Sequence, residues 1–83
     1  MVKIMKTKAN LVDCRPYELQ PNEYCYYDKV IFAMTPNGLC ANLANHNCVY
    51  NTLTGLTVTP SILCDNGDIS WHGYITNDEW IEC

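Results

Sequence analysis

Six cysteines and two histidines carry most of the reactive chemistry in this 83-residue chain. Cys40, Cys48, Cys64, His72 and Cys83 are the candidate metal ligands, with His46 beside Cys48. Structural zinc usually draws two ligands from one tight Cys-x-x-Cys turn, which presents two thiolates at tetrahedral spacing. This chain has no Cys-x-x-Cys. His46-x-Cys48 is its one close pair, and residues two apart on a strand share a face. The pattern therefore predicts no cofactor, with the cysteines acting as small buried hydrophobes. A zinc-stabilised structural or interaction domain on Cys40, Cys48, Cys64, His72 and Cys83 is the alternative.

His72 also invites a catalytic reading, because a histidine beside a serine or cysteine can activate a nucleophile. Its sequence neighbours Ser70 and Tyr74 share its strand face, but at about 7 Å along a strand they are beyond hydrogen-bond reach. G-x-S-x-G, H-E-x-x-H and glycine-rich phosphate loops are all missing. Asp65-Asn66-Gly67-Asp68 lacks the alternating oxygen ligands and terminal Glu of a calcium loop, so it reads as a β-turn. No catalytic residue is expected, and the chain is not read as an enzyme. Its aromatic residues suit binding instead. Tyr26, Tyr27, His72, Tyr74 and Trp80 are the candidate contacts, since Tyr and Trp are enriched in pockets and interfaces. Trp71 alternates with Ile69 and Ile75 and is read as core.

The net charge is −4, and its layout matters more than its size. Lys3, Lys6 and Lys8 lie at the amino end, and only Arg15 and Lys29 follow. Asp65, Asp68, Asp78, Glu79 and Glu82 occupy the cation-free remainder. Phosphate backbones demand clustered cations, so direct nucleic-acid binding is not expected. No apolar run approaches the about 20 residues of a membrane span. The lysine-bearing amino end lacks the apolar centre of a signal peptide, which favours a cytoplasm over a secreted disulfide framework.

These candidates need a scaffold, and 83 residues supply one small domain. Met1 to Met5 alternates as a short edge strand, and Thr7 to Pro21 reads as loop. Tyr24 to Met34 reads as one long strand, central and buried on both faces from Val30 onward. Pro36-Asn37-Gly38 makes a tight turn. Leu39 to Asn47 fits either a short helix or a strand folding back on Val30 to Met34, and the turn favours the strand. Cys48 to Tyr50 and Leu56 to Thr59 are further strands, the second ended or pushed to an edge by Pro60. Asn66-Gly67 opens a hairpin into Asp68 to Ile75, the cleanest period-two stretch. Thr76 to Glu79 turns again, and Trp80 to Cys83 closes the sheet. The expectation is an all-β, single-domain antiparallel sandwich or barrel of short strands joined by Asn-Gly hairpins. It comprises an edge strand and loop over 1–21 and a β core over 22–83. A small, weakly charged β domain of this kind is also expected to form a homo-oligomer.

Phe32 with Pro36-Asn37-Gly38, then Leu56 to Ile62 with its Thr59-Pro60-Ser61-Ile62, then Trp71-His72-Gly73-Tyr74-Ile75 with Asn77 and Trp80, carry a resemblance. Over roughly Val30 to Cys83 the chain resembles a group of small phage and prophage proteins of unknown function. Many of them have Gly where this chain has Asp78, and several have close cysteine pairs that this chain lacks. The resemblance implies an accessory phage protein made in the cytoplasm of a bacterial host cell. It would act as a non-enzymatic binding module, such as an inhibitor of host defence that binds a host protein or sequesters a small signalling molecule.

Overall fold

Turn residues interrupt β-formers along most of the chain, and the computed structural model, which describes residues 6–83, converts this into nine strands among the described residues. They are β1 (Lys6–Lys8), β2 (Asn10–Leu11), β3 (Glu23–Tyr27), β4 (Val30–Met34) and β5 (Cys40–Asn42). Then come β6 (Asn47–Asn51), β7 (Gly55–Asp65), β8 (Ser70–Thr76) and β9 (Glu79–Glu82). Sheet one runs β1-β9-β8-β7-β6 and is antiparallel throughout. Sheet two runs β2-β3-β4-β5, with β2 parallel to β3 and the rest antiparallel. The all-β expectation of a sandwich or barrel holds as two packed sheets, with the parallel β2–β3 pair departing from its antiparallel pattern. The expected edge strand at Met1 to Met5 lies outside the described residues.

Three local expectations are corrected. The long strand from Tyr24 to Met34 is a hairpin that turns at Asp28-Lys29, where φ is +50° and +67°. Two positive-φ residues match the right-handed strand twist, and Tyr27 pairs with Val30 across them. Thr7 to Pro21 is more than loop, because it contains parts of β1 and β2 and a short 3-10 turn at Pro16–Glu18. Finally, β7 does not stop at Pro60, and of the two alternatives it is the edge position that holds. Its pairing with β6 ends at Asn47–Thr59, and its register with β8 shifts between Val58 and Ile62. Pro60 sits in that irregular stretch, where the ladder does not need its missing N–H.

The period-two reading of β8 is confirmed from Trp71 onward. Trp71, Gly73 and Ile75 are buried, while Ser70, His72, Tyr74 and Thr76 face out. Ile69 departs from it, lying in the turn and 44% exposed. The core joins Leu56, Val58 and Ile62 of β7 to Tyr24, Ala33 and Ala41 of sheet two. Trp71 and Trp80 meet edge to face at 5.1 Å between ring centroids. Each fully buried Leu or Ile side chain contributes about 1.5–3 kcal/mol. Gly73 allows this packing, because a Cβ there would overlap the Ile81 carbonyl and the Trp71 ring.

The two sheets join along one side. Buried Ala9 carries the chain from β1 to β2, and its N–H donates to the Asp78 carbonyl at 2.7 Å. Asn10 N–H then donates to the Asn22 carbonyl at 3.0 Å. On the other side β5 lies beside β7 without pairing to it. The result is a sandwich closed at one seam and open at the other.

Candidate functional site

The alternation of β3 sends Tyr24 and Tyr26 to one face and Cys25 and Tyr27 to the other. Tyr24 reaches the core, and its hydroxyl donates to Asp78 Oδ1 at 2.6 Å. Tyr26, two residues nearer the turn, lies 67% exposed. Around it stand Leu11 of β2, Ile31 of β4 and Tyr50 of β6, and with Tyr24 they line an apolar pocket of about 210 Å³. Leu11 and Tyr50 are each 50% exposed. Tyr26 also borders a second hollow with Lys29, Val30, Leu43 and Cys48. It is therefore the centre of an aromatic and aliphatic surface. Leu11 and Tyr50 were missed in the sequence because they come from strands distant in the chain.

The other expected binding residues do not gather there. Tyr27 points to the opposite face of β3. His72 and Tyr74 lie on the outer face of sheet one. Trp80 is a core residue, 1% exposed, and its indole N–H donates to the Asn22 carbonyl at 3.1 Å.

A cross-strand contact supplies the serine that His72 lacks along its own strand. His72 Nε2 lies 2.9 Å from Ser61 Oγ of β7. No carboxylate hydrogen-bonds to His72 among the described residues, and neither residue lines the pockets above. The pair can share a proton, but the third group that would orient the imidazole for nucleophilic catalysis is missing.

The cysteines are all free thiols. Cys40 and Cys64 line an open groove of about 440 Å³ between β5 and the second half of β7, with His46 and Asp65. Cys48 faces the hollow beside Tyr26, His72 the outer face of sheet one, and Cys83 the end of β9. Among the described residues no three His, Cys, Asp or Glu side chains converge as metal ligands. The zinc set therefore does not fit this arrangement. Burial raises the Cys40, Cys48 and Cys64 thiols above their ordinary value. Burial, then the neighbouring Cys14, pushes Cys25 up to about 11. Nucleophilic cysteines need the opposite shift.

The polar group that links the two sheets is Asp78, which the sequence marked as one acidic residue of the cation-free remainder and a departure from glycine. It follows Asn77 in the β8–β9 turn, with φ of +48° and +61° at the two residues. Its Oδ1 accepts from Tyr24 Oη and from Leu56 N–H at 2.7 Å. A Cβ on Gly55 would overlap this carboxyl. Asp78 thus ties the last hairpin and the start of β7 to sheet two.

These features define a small two-sheet β domain with one aromatic surface. Comparison with protein-family models, with curated proteins and with solved structures finds no significant match to this chain. Among the described residues no helix is long and apolar enough to cross a membrane.

Proposed function

We propose that this protein is a non-enzymatic binding module that grips a protein partner through the Tyr26 surface. The carrying observation is the exposed cluster of Leu11, Tyr26 and Tyr50 around an apolar pocket. Tyrosine offers large contact area at low conformational cost, and such anchors dominate protein interfaces. The size of the pocket favours a protein over a small molecule. Ligand pockets usually hold about 300–1,000 Å³, and this one holds about 210 Å³, enough for one inserted side chain.

The phage setting, and with it the reading as a stoichiometric inhibitor of host defence, is supported by the resemblance of Leu56 to Ile62 and Trp71 to Ile75. In the fold these segments face each other across β7 and β8. They form the scaffold, while the Tyr26 surface comes from other strands.

A photo-crosslinking residue placed at Tyr26, in protein expressed in bacterial cytoplasm, tests the proposal. The expected result is one discrete protein adduct, lost when Leu11→Ala and Tyr50→Ala are added. Tyr17, 77% exposed on the 3-10 turn, is the control position. Equal adducts from both positions, or an adduct indifferent to Leu11 and Tyr50, would overturn it.

A further inference from the structure

Among the described residues β6 has a neighbour on one side only. Its sequence, Asn-Cys-Val-Tyr-Asn, contains no Lys, no Pro and no charge. Proteins normally guard an exposed edge with such residues, with bulges, or by covering it. The backbone pattern shows which groups are free. Leu56 N–H donates to the Asp78 carboxylate and its carbonyl accepts from Asp78 N–H, so Leu56 and Val58 belong to the β8 side of β7. Alternation then turns Gly55, Thr57 and Thr59 towards Asn51, Val49 and Asn47. The N–H and C=O groups of Cys48 and Tyr50 consequently point to the open edge.

We infer that a second copy of this chain pairs there, β6 against β6, about a two-fold axis at Val49. In this register Cys48 and Tyr50 of one copy exchange backbone hydrogen bonds with Tyr50 and Cys48 of the other. Val49 meets Val49 as the close, non-hydrogen-bonded pair between them. Asn47 meets Asn51 on either side, so no like charges oppose. The five residues are self-complementary, as an isologous interface requires. Val49 is 65% exposed on the outer face, so pairing covers an apolar side chain left open in the single copy. The two five-stranded sheets become one continuous sheet of ten. The pairing sets the second copy's β6 beside Tyr50 at the rim of the Tyr26 pocket, whereas Val49 leaves the opposite face of β6 and tests the pairing apart from the Tyr26 proposal.

The test is molar mass against concentration by light scattering, under reductant so that cysteine crosslinks cannot imitate a dimer. Wild type is expected to approach twice the monomer mass. Val49→Lys and Val49→Glu each place like charges opposite one another and should weaken association by about tenfold or more. Mixing the two variants should restore a dimer of one copy of each. Hydrogen exchange on wild type provides a measurement that needs no variant. The Cys48 and Tyr50 amides should gain protection as concentration rises. A wild type that stays monomeric, a dimer indifferent to both charges, or unprotected Cys48 and Tyr50 amides in the dimer would each overturn the inference.

Discussion

Asp78→Ala should be among the most damaging single changes in the chain, although the residue sits in a turn. The carboxylate is the acceptor for the Tyr24 hydroxyl at 2.6 Å and the Leu56 N–H at 2.7 Å. Tyr24 and Leu56 are almost fully buried, so water replaces the lost carboxylate poorly. Each orphaned buried donor costs about 1–3 kcal/mol, giving about 2–6 kcal/mol together. A domain of this length has about 4–12 kcal/mol in total. Lys8 contributes little, since its ammonium is mostly exposed and 4.0 Å from the carboxylate. Urea unfolding of wild type, Asp78→Ala, Tyr24→Phe and the double variant measures the coupling. Asp78→Asn keeps one neutral acceptor and should cost about half as much as Ala, because charge-assisted bonds are roughly twice as strong. Lys8→Ala should lie within about 0.5 kcal/mol of wild type. An Asp78→Ala loss below about 1 kcal/mol, or strictly additive Tyr24 and Asp78 effects, would refute the reasoning.

Three further outcomes follow. Stability should fall as pH rises from about 9 to about 11, because Cys25 holds its proton in the fold up to about 11 while the unfolded chain releases it at 9.0. The unfolded state then binds fewer protons, so stability is lost through that window. Tyr24, raised by burial and by Asp78, extends the decline to higher pH, and Cys25→Ala should make the first part shallower in urea titrations at fixed pH, the raised Cys40, Cys48 and Cys64 thiols supplying the rest. Chelator should leave the thermal midpoint unchanged, and a thiol reagent should modify all six cysteines in denaturant while sparing Cys25 in the native protein. A midpoint that drops on chelation would restore the zinc alternative. Gly73→Ala should cost about 3 kcal/mol or more, since backbone blocks its Cβ. Gly38→Ala, with open space but φ of +90°, should cost about 1–2 kcal/mol, both read by thermal unfolding.

What was legible in the sequence was whatever local chemistry decides. Asn37-Gly38 and Asn66-Gly67 announce turns because Gly readily adopts the positive φ found at Gly38 and Gly67. The alternation of β8 shows its buried face directly. Asp28-Lys29 gave a weaker signal, because Asp tolerates left-handed backbone but Lys29 is not a turn former and the β-formers run on through the pair. Non-local choices were illegible. Tyr24 and Tyr26 share chemistry and a strand face, yet only Tyr24 lies beneath the packed elements. Nothing along the chain says where that cover ends. Trp80 reads as a binding contact in the sequence, yet Trp71 and Asn22 enclose it in the core. Ser61 and His72 meet because β7 and β8 pair, eleven positions apart. Asp78 reaches Tyr24 across 54 positions, and no local rule links them.

One local irregularity explains both open edges. β7 has eleven residues, but β6 matches only its first five, Gly55 to Thr59. Between Val58 and Ile62 it takes four residue steps while β8 takes two, from Ile75 to Gly73. The extra residues around Pro60 bend the strand away from β6. Its second half then faces β5 across the groove, with its side away from β8 unpaired except where His46 Nε2 approaches the Ser61 carbonyl at 3.3 Å. Among the described residues β6 is left as a short edge with free backbone on its far side. Leu56 to Ile62 and Trp71 to Ile75 build this bent hairpin. Leu11, Tyr26, Val49 and Tyr50, which form the two proposed contact surfaces, lie outside them. The hairpin therefore sets the scaffold while other strands carry the contact surfaces, and a partner has to be sought with probes at Tyr26 and Val49.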